Sequence, residues 1–193
     1  MIEEILPAVF RWSAFSPAHR VELTAHAVGS DDGLRIFDPI VPPSEVALPR
    51  SSGDRVLLTN ENHERAAAAW LAEGVPVWCS PEAGTTQPGI QRWGAGADAN
   101  PDADPAPGWI RIPLAGGPPG ETAFLLPKRS LMIFGDAVVN LPGRGLEILP
   151  DQYCRDSRLL RESLRGLPDF DHAMFAHGEP LLAAAGRRVA SLL

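Results

Sequence analysis

The sequence predicts an α/β protein of four layers, an αββα sandwich in which two mixed β-sheets are flanked by helices. Three observations predict it. Residues 55–78 read as strand, polar elbow, helix and strand in succession, the unit from which parallel sheets are built. Both halves of the chain carry short apolar strands in a similar layout. Two later segments, 151–164 and 179–193, place apolar residues at helical spacing and read as surface helices packed on one side. A chain of 193 residues buries a full core as one domain.

In order, residues 6–15 and 19–28 read as paired strands, with Ser16-Pro17 as the break. The Gly29-Ser30-Asp31-Asp32-Gly33 cluster is a turn, and 34–39 is a third strand ending in Asp38-Pro39. Pro43 and Ser44 are entry signals for a short helix at 42–46. Val56-Leu57-Leu58-Thr59 is the next strand, and Asn60 to Arg65 is the elbow. A helix over 66–73 is closed by Gly74, and 75–78 returns as a strand. Ser80 to Ala83 opens another short helix. Residues 84–108, rich in Gly, Ala, Asp and Pro, exceed an ordinary connection and form an extended surface loop anchored by Trp93. Strands follow at 109–114, 122–126 and 131–134, with Lys128-Arg129 as a turn. A Pro/Gly loop is expected at 138–145 and a short buried strand at 173–176.

Composition narrows the function. A net charge of −7 argues against nucleic acid and anionic membrane as partners. The acidic start Met1-Ile2-Glu3-Glu4 has no signal-peptide pattern, and no apolar run approaches membrane-spanning length, so a cytoplasmic protein is expected. Cys79 and Cys154 have no CxxC spacing and read as reduced thiols. No Ser sits in a G-x-S-x-G elbow. Five tryptophans, Trp12, Trp70, Trp78, Trp93 and Trp109, would each mark an interface if exposed; a homodimer is left open.

Chemistry in open α/β sheets collects at the carboxyl ends of strands, so the elbow is the first place to look. The run Thr59-Asn60-Glu61-Asn62-His63-Glu64-Arg65 resembles the metal-binding corner of the metallo-β-lactamase-fold hydrolases, Thr-His-x-His-x-Asp-His. Three later stretches support the resemblance: Ala115 to Leu126 around Gly117, Ser130 to Ala137 ending in Gly135-Asp136, and Ala176-His177-Gly178. The resemblance implies a two-metal hydrolase site, but here the framework is kept without the ligands. Asn60, Asn62 and Gly117 stand at the first metal's histidine positions, and neither a carboxamide nor glycine makes a zinc ligand set. Glu64, Asp136 and His177 stand at the second, with Arg65 in place of its remaining histidine.

The expectation is therefore a remnant site of Asp136, His177 and Glu64 without metal, in which hydrolysis is lost. Arg65 substitutes for metal charge by pairing with Asp136, Glu64 or both, and His177 completes the network. Arg65, Asn60, Asn62, His63 and Asp38 would line a pocket for a small anionic ligand or a partner. By the resemblance Asp38 lies behind the first ligands; read alone, it is equally a turn aspartate before proline. The alternative is a single divalent metal (zinc, manganese or iron) on Glu64, Asp136, His177 and, if the elbow shifts by one position, His63. That protein would be a mononuclear hydrolase of an ester, thioester, lactone or phosphodiester. His19 and His26 suggest cross-strand or surface roles, and His172 a structural one.

Overall fold

The computed structural model describes residues 1–18, 20–41, 48–94 and 104–193. The first sheet has seven strands lying in chain order: β1 (Glu3–Leu6), β2 (Val9–Ser16), β3 (Val21–Ser30), β4 (Gly33–Phe37), β5 (Arg55–Leu57), β6 (Val77–Cys79) and β7 (Gln91–Arg92). The strands β1 to β4 are antiparallel, and β4 to β7 run parallel. Connection length decides the change: tight turns join the first four, whereas parallel neighbours require a crossover. Between β5 and β6 that crossover carries helix α1 (Ala67–Ala72).

The second half supplies β8 (Ile110–Pro113), β9 (Thr122–Leu126), β10 (Leu131–Phe134), a hairpin of β11 (Val138–Leu141) and β12 (Gly145–Ile148), helix α2 (Ser157–Arg165), β13 (His172–Phe175) and helix α3 (Ala185–Ala190). The second sheet has the order β13-β10-β9-β8, with β10 and β13 parallel.

Strand periodicity builds the layers. Side chains alternate faces along a strand. Ile36 of β4 therefore joins Trp12, Val56 and Val77 under Ala67 and Trp70 of α1. Phe37 faces the other way, with Val9, Val28 and Leu57, onto Phe124, Leu131, Ile133 and Met174 of the second sheet. Met132 and Phe134 point outward to Leu160 and Leu164 of α2 and Ala185 and Val189 of α3. The αββα sandwich expected from the sequence is the fold observed.

Local departures have local causes. Residues 80–83 form a turn, not a helix, because the Ser80 carbonyl and hydroxyl accept from Ala83 N (3.1 Å) and Glu82 N (3.2 Å). The expected loop at 138–145 is the β11–β12 hairpin: Val138 to Leu141 pair with Gly145 to Ile148 around Pro142-Gly143. The segment 151–164 is broken into a 3-10 turn, Asp151–Tyr153, and α2, whose N-cap Asp156 accepts from Leu159 N at 2.9 Å. The last helix is shorter than expected. Leu181 pairs with Ala173, and Ala184 takes a left-handed φ of 52°, so helix begins only at Ala185. The long loop contributes β7, and its Trp93 is buried against Phe124 as an anchor. His19, the expected helix at 42–46 and residues 95–103 lie outside the described residues. Trp12, Trp70, Trp93 and Trp109 are buried and Trp78 is half-buried, so no tryptophan forms an exposed patch. Among the described residues no helix is long and apolar enough to cross a membrane.

Candidate metal centre

Four strand ends meet at one edge of the sandwich. Asp38 follows β4, Thr59 and Asn60 follow β5, Asp136 follows β10 and His177 follows β13. The parallel pairings β4–β5 and β10–β13 bring those ends together, as expected for the carboxyl edge of a parallel sheet. The elbow then folds as a 3-10 turn, Glu61–His63, capped by Asn60, whose side chain accepts from Asn62 N at 2.8 Å. That turn carries His63 inward until it is 2% exposed.

His63 is the hub. Its Nδ1 lies 3.1 Å from Asp38 Oδ2 and 2.8 Å from Thr59 Oγ1, and its Nε2 lies 3.2 Å from Asp136 Oδ1. Asp38 is itself held by Thr59 N (2.8 Å) and the Thr59 hydroxyl (2.8 Å). His177 reaches the same carboxylate from the end of β13, its ring centre 5.6 Å from that of His63. Its Nδ1 faces the Glu22 carbonyl at 3.1 Å, and its Nε2 also lies 3.2 Å from Asp136 Oδ1. The hairpin steadies this strand end, since Asn140 N donates to the His177 carbonyl at 3.1 Å.

The two Nδ1 contacts fix the chemistry of the rings. A carbonyl and a carboxylate are acceptors, so each Nδ1 carries a proton. Both Nε2 atoms are then left facing one carboxylate oxygen. A proton or a metal cation on Nε2 makes such a contact attractive; two bare lone pairs do not. Orientation of a histidine through Nδ1 by an outer acceptor is the usual arrangement behind a metal-ligating Nε2. The donor atoms of His63, Asp136 and His177 all lie within 4.8 Å of one another. Tetrahedral zinc with bonds near 2.0–2.1 Å has ligand–ligand edges of about 3.3 Å. The two 3.2 Å separations match such edges. The donor set therefore fits one metal ion.

Among the described residues no second group of this kind accompanies it. Asn60 Nδ2 is committed to Glu121 Oε2 (2.6 Å) and Asp136 Oδ2 (3.0 Å), while Asn62 Nδ2 makes only a 3.4 Å contact to Asp136. Gly117 brings no donor, and a side chain there would run into Glu121, with a Cβ 2.9 Å from its Cγ. Glu64, expected among the remnant site residues, is turned away and accepts from the backbone and hydroxyl of Thr86.

Arg65 also departs from expectation. Its guanidinium enters the site but pairs with neither Glu64 nor Asp136. It donates to the carbonyls of Thr24 (2.9 Å), Asp38 (3.1 Å) and Ala176 (3.4 Å), with His177 Nε2 at 3.4 Å. Backbone carbonyls of β3, of the β4 end and of the β13 end claim the fork, whereas the carboxylates are already held by Thr59, Asn60 and two histidines; the Ala176 carbonyl also accepts from Thr24 N at 2.9 Å. Its charge still acts at short range. Burial and Arg65 push the His63 imidazole down, but Asp38 and Asp136 outweigh them and hold its pKa at about 9. Burial works to raise both Asp38 and Asp136; His63 above all outweighs it, and Asp136 falls well below the ordinary carboxylate range. His63 and Arg65 thus balance Asp38 and Asp136.

Thr59 and Glu121 play parts here that the sequence did not single out. Glu121 is 3% exposed, and burial followed by the nearby Asp136 pushes it up to about 8. Of the two roles expected for His26 the cross-strand one holds: it lies buried between Arg11 of β2 and Phe37 of β4, and burial lowers it to about 3, so it stays neutral.

The geometry invites comparison with known structures. A metallo-β-lactamase from Erythrobacter litoralis, crystallised with β-mercaptoethanol in its active site, superposes with a TM-score of 0.76 at 14% identity, over 99% of this chain and 94% of that one. The chain has the metallo-β-lactamase fold. A metallo-β-lactamase from Pontibacter korlensis gives 0.72 at 15% identity over 100% and 97%. One from Pseudomonas aeruginosa, in a mono-zinc form, gives 0.71 at 11% identity over 100% and 92%. No family profile and no curated relative matches the sequence. Within the metallo-β-lactamase fold, then, this chain carries a His-Asp-His cluster at the strand ends.

Proposed function

We propose that this protein is a metallo-β-lactamase-fold hydrolase reduced to one metal, held by His63, Asp136 and His177. The observation that carries the reading is the convergence of two Nδ1-oriented histidines on a single oxygen of Asp136. A single zinc with three protein ligands keeps an open position for water and, when bound, lowers that water's pKa to about 7. The protein's own part is to orient: Asp38 and the Glu22 carbonyl fix the two rings, and Asn60 fixes Asp136. The mono-zinc form of the Pseudomonas aeruginosa structure supports the reading, as a protein of this fold holding one ion. Esters, thioesters, lactones and phosphodiesters are the substrate classes to screen. A small anionic ligand belongs at the metal's open position, because the Arg65 donors are already spent on carbonyls.

A second reading is a binding protein without metal. It is favoured by the charge balance of the cluster, in which the His63 proton fills the cation's role. Elemental analysis of tag-free protein, as purified and after incubation with zinc, manganese and iron, separates the two. About one ion per chain, lost in His63→Ala, Asp136→Asn and His177→Ala, is the expected result. Near-zero content throughout would sink the one-metal reading and leave the metal-free one.

A further inference from the structure

The least expected group near the cluster is Glu121. It sits at the start of β9, buried, with both carboxyl oxygens occupied. Oε1 accepts from the backbone N of Ala137 at 2.9 Å, and Oε2 accepts from Asn60 Nδ2 at 2.6 Å. Ala137 is the residue after Asp136, and the second Nδ2 proton of Asn60 goes to Asp136 Oδ2 at 3.0 Å. Glu121 therefore holds Asp136 twice, by the adjoining backbone and through a carboxamide bridge to its side chain. The bridge engages Oδ2 and leaves Oδ1 for the two histidines.

Two glycines make room for this carboxyl. A Cβ at Gly117 would lie 2.9 Å from Glu121 Cγ, and one at Gly135 would lie 2.9 Å from Glu121 Oε1 and 2.3 Å from Thr59 Oγ1. Space, donors and partner are contributed by three separate segments, around Asn60, Gly117 and Gly135 to Ala137. A surface carboxylate that happened to be covered would not require such an arrangement.

We propose that Glu121 is a positioning residue that acts through Asn60 to aim Asp136 Oδ1 at His63 and His177. The proposal rests on the one-metal reading for its first readout but not for its second. Glutamine is the informative replacement. It keeps size and shape but has one oxygen and one NH2. Whichever way it turns, it presents N–H either to Ala137 N or to Asn60 Nδ2. Glu121→Asp keeps the acid and shortens its reach, and is measured alongside. Asn60→Ser retains an oxygen that can cap the elbow turn but removes the carboxamide bridge.

The first readout is zinc affinity of the intact chain by competition with a chromophoric chelator. Glu121→Gln and Asn60→Ser are each expected to weaken zinc binding about 10–100-fold, the range for groups that orient a ligand. Because they break one bridge, the double variant is expected to be no weaker than the weaker single one. Zinc affinity within about twofold of the parent in Glu121→Gln, or multiplied losses in the double variant, would overturn the proposal. The second readout needs no metal: the imidazole N–H resonances of His63 and His177 in chelator-treated protein. The parent is expected to show them as hydrogen-bonded protons, and Glu121→Gln and Glu121→Asp to lose or strongly broaden them. Their absence from the parent, or their persistence in both variants, also overturns it. A parent that binds no zinc yet shows this pattern refutes the one-metal reading while upholding the role of Glu121.

Discussion

Arg65 occupies a backbone conformation that non-glycine residues rarely take, with φ of 37°, and Asp38 beside it has φ of 51°. Such strain persists only where the surroundings over-determine it. Three carbonyls do so for Arg65. Removing the side chain takes the Arg65 donors from the Thr24 and Asp38 carbonyls and leaves Asp38 and Asp136 short of a counter-charge. Arg65→Ala is expected to lower stability by about 3–5 kcal/mol in urea unfolding. Arg65→Lys restores the charge without the fork and recovers less than half of that loss. At this scale the sequence was only partly legible. It marked Asp38, Asp136, His177 and Arg65 through the resemblance of the strand-end motifs that carry them. It counted His63 a fallback, since the ring's inward direction depends on the 3-10 turn capped by Asn60. Glu121 gave no signal: its neighbours Gly117, Gly135 and Asn60 come from separate stretches, and no periodicity links them.

Two elbow carboxylates serve the adjoining loop instead of the site. Glu61 accepts from Gly84 N at 2.8 Å, and Glu64 accepts from Thr86 N. They fasten residues 84–86 beside the elbow. Glu64→Ala is expected to leave metal content unchanged and to speed proteolytic cleavage or amide exchange near Thr86, with a stability loss of about 1–2 kcal/mol. Loss of metal in that variant would return Glu64 to the ligand set. The strands were the legible elements, because apolar alternation fixed their faces. The helices were overextended. Apolar spacing in 179–193 resembled a helix face, but Leu181 obeys the sheet and Asp171 takes the amides of Ala184 and Ala185, deferring the first turn. The hairpin at 138–148 was hidden by its Pro-Gly turn, and it is the hairpin that secures the His177 carbonyl.

For the whole molecule, the buried titratable groups predict an acid-shifted stability profile in the metal-free state. His63 is raised from 6.5 to about 9, so its contribution is complete below about 6.5 and is lost as pH rises towards 9. Glu121 is raised from 4.5 to about 8, so the folded state also binds the extra proton in that window and stability again falls with rising pH. Asp38 and Asp136 are lowered, and their contribution is lost as pH falls through the ordinary carboxylate range. Maximum stability is expected at acidic pH, about 4–5, from melting temperatures of chelator-treated protein. His63→Gln should flatten the alkaline limb, and a maximum above pH 8 would contradict this assignment of charges. The carbonyls gathered by Arg65 have a further consequence. Thr24 and Asp38 belong to the first sheet and Ala176 to the second, so one guanidinium spans the interface. Neither sheet can peel away without exposing that cation's partners, which joins the two sheets into one cooperative unit. Amides in β3 and β13 should then exchange with solvent through the same rare opening, at a common free energy, instead of loosening sheet by sheet.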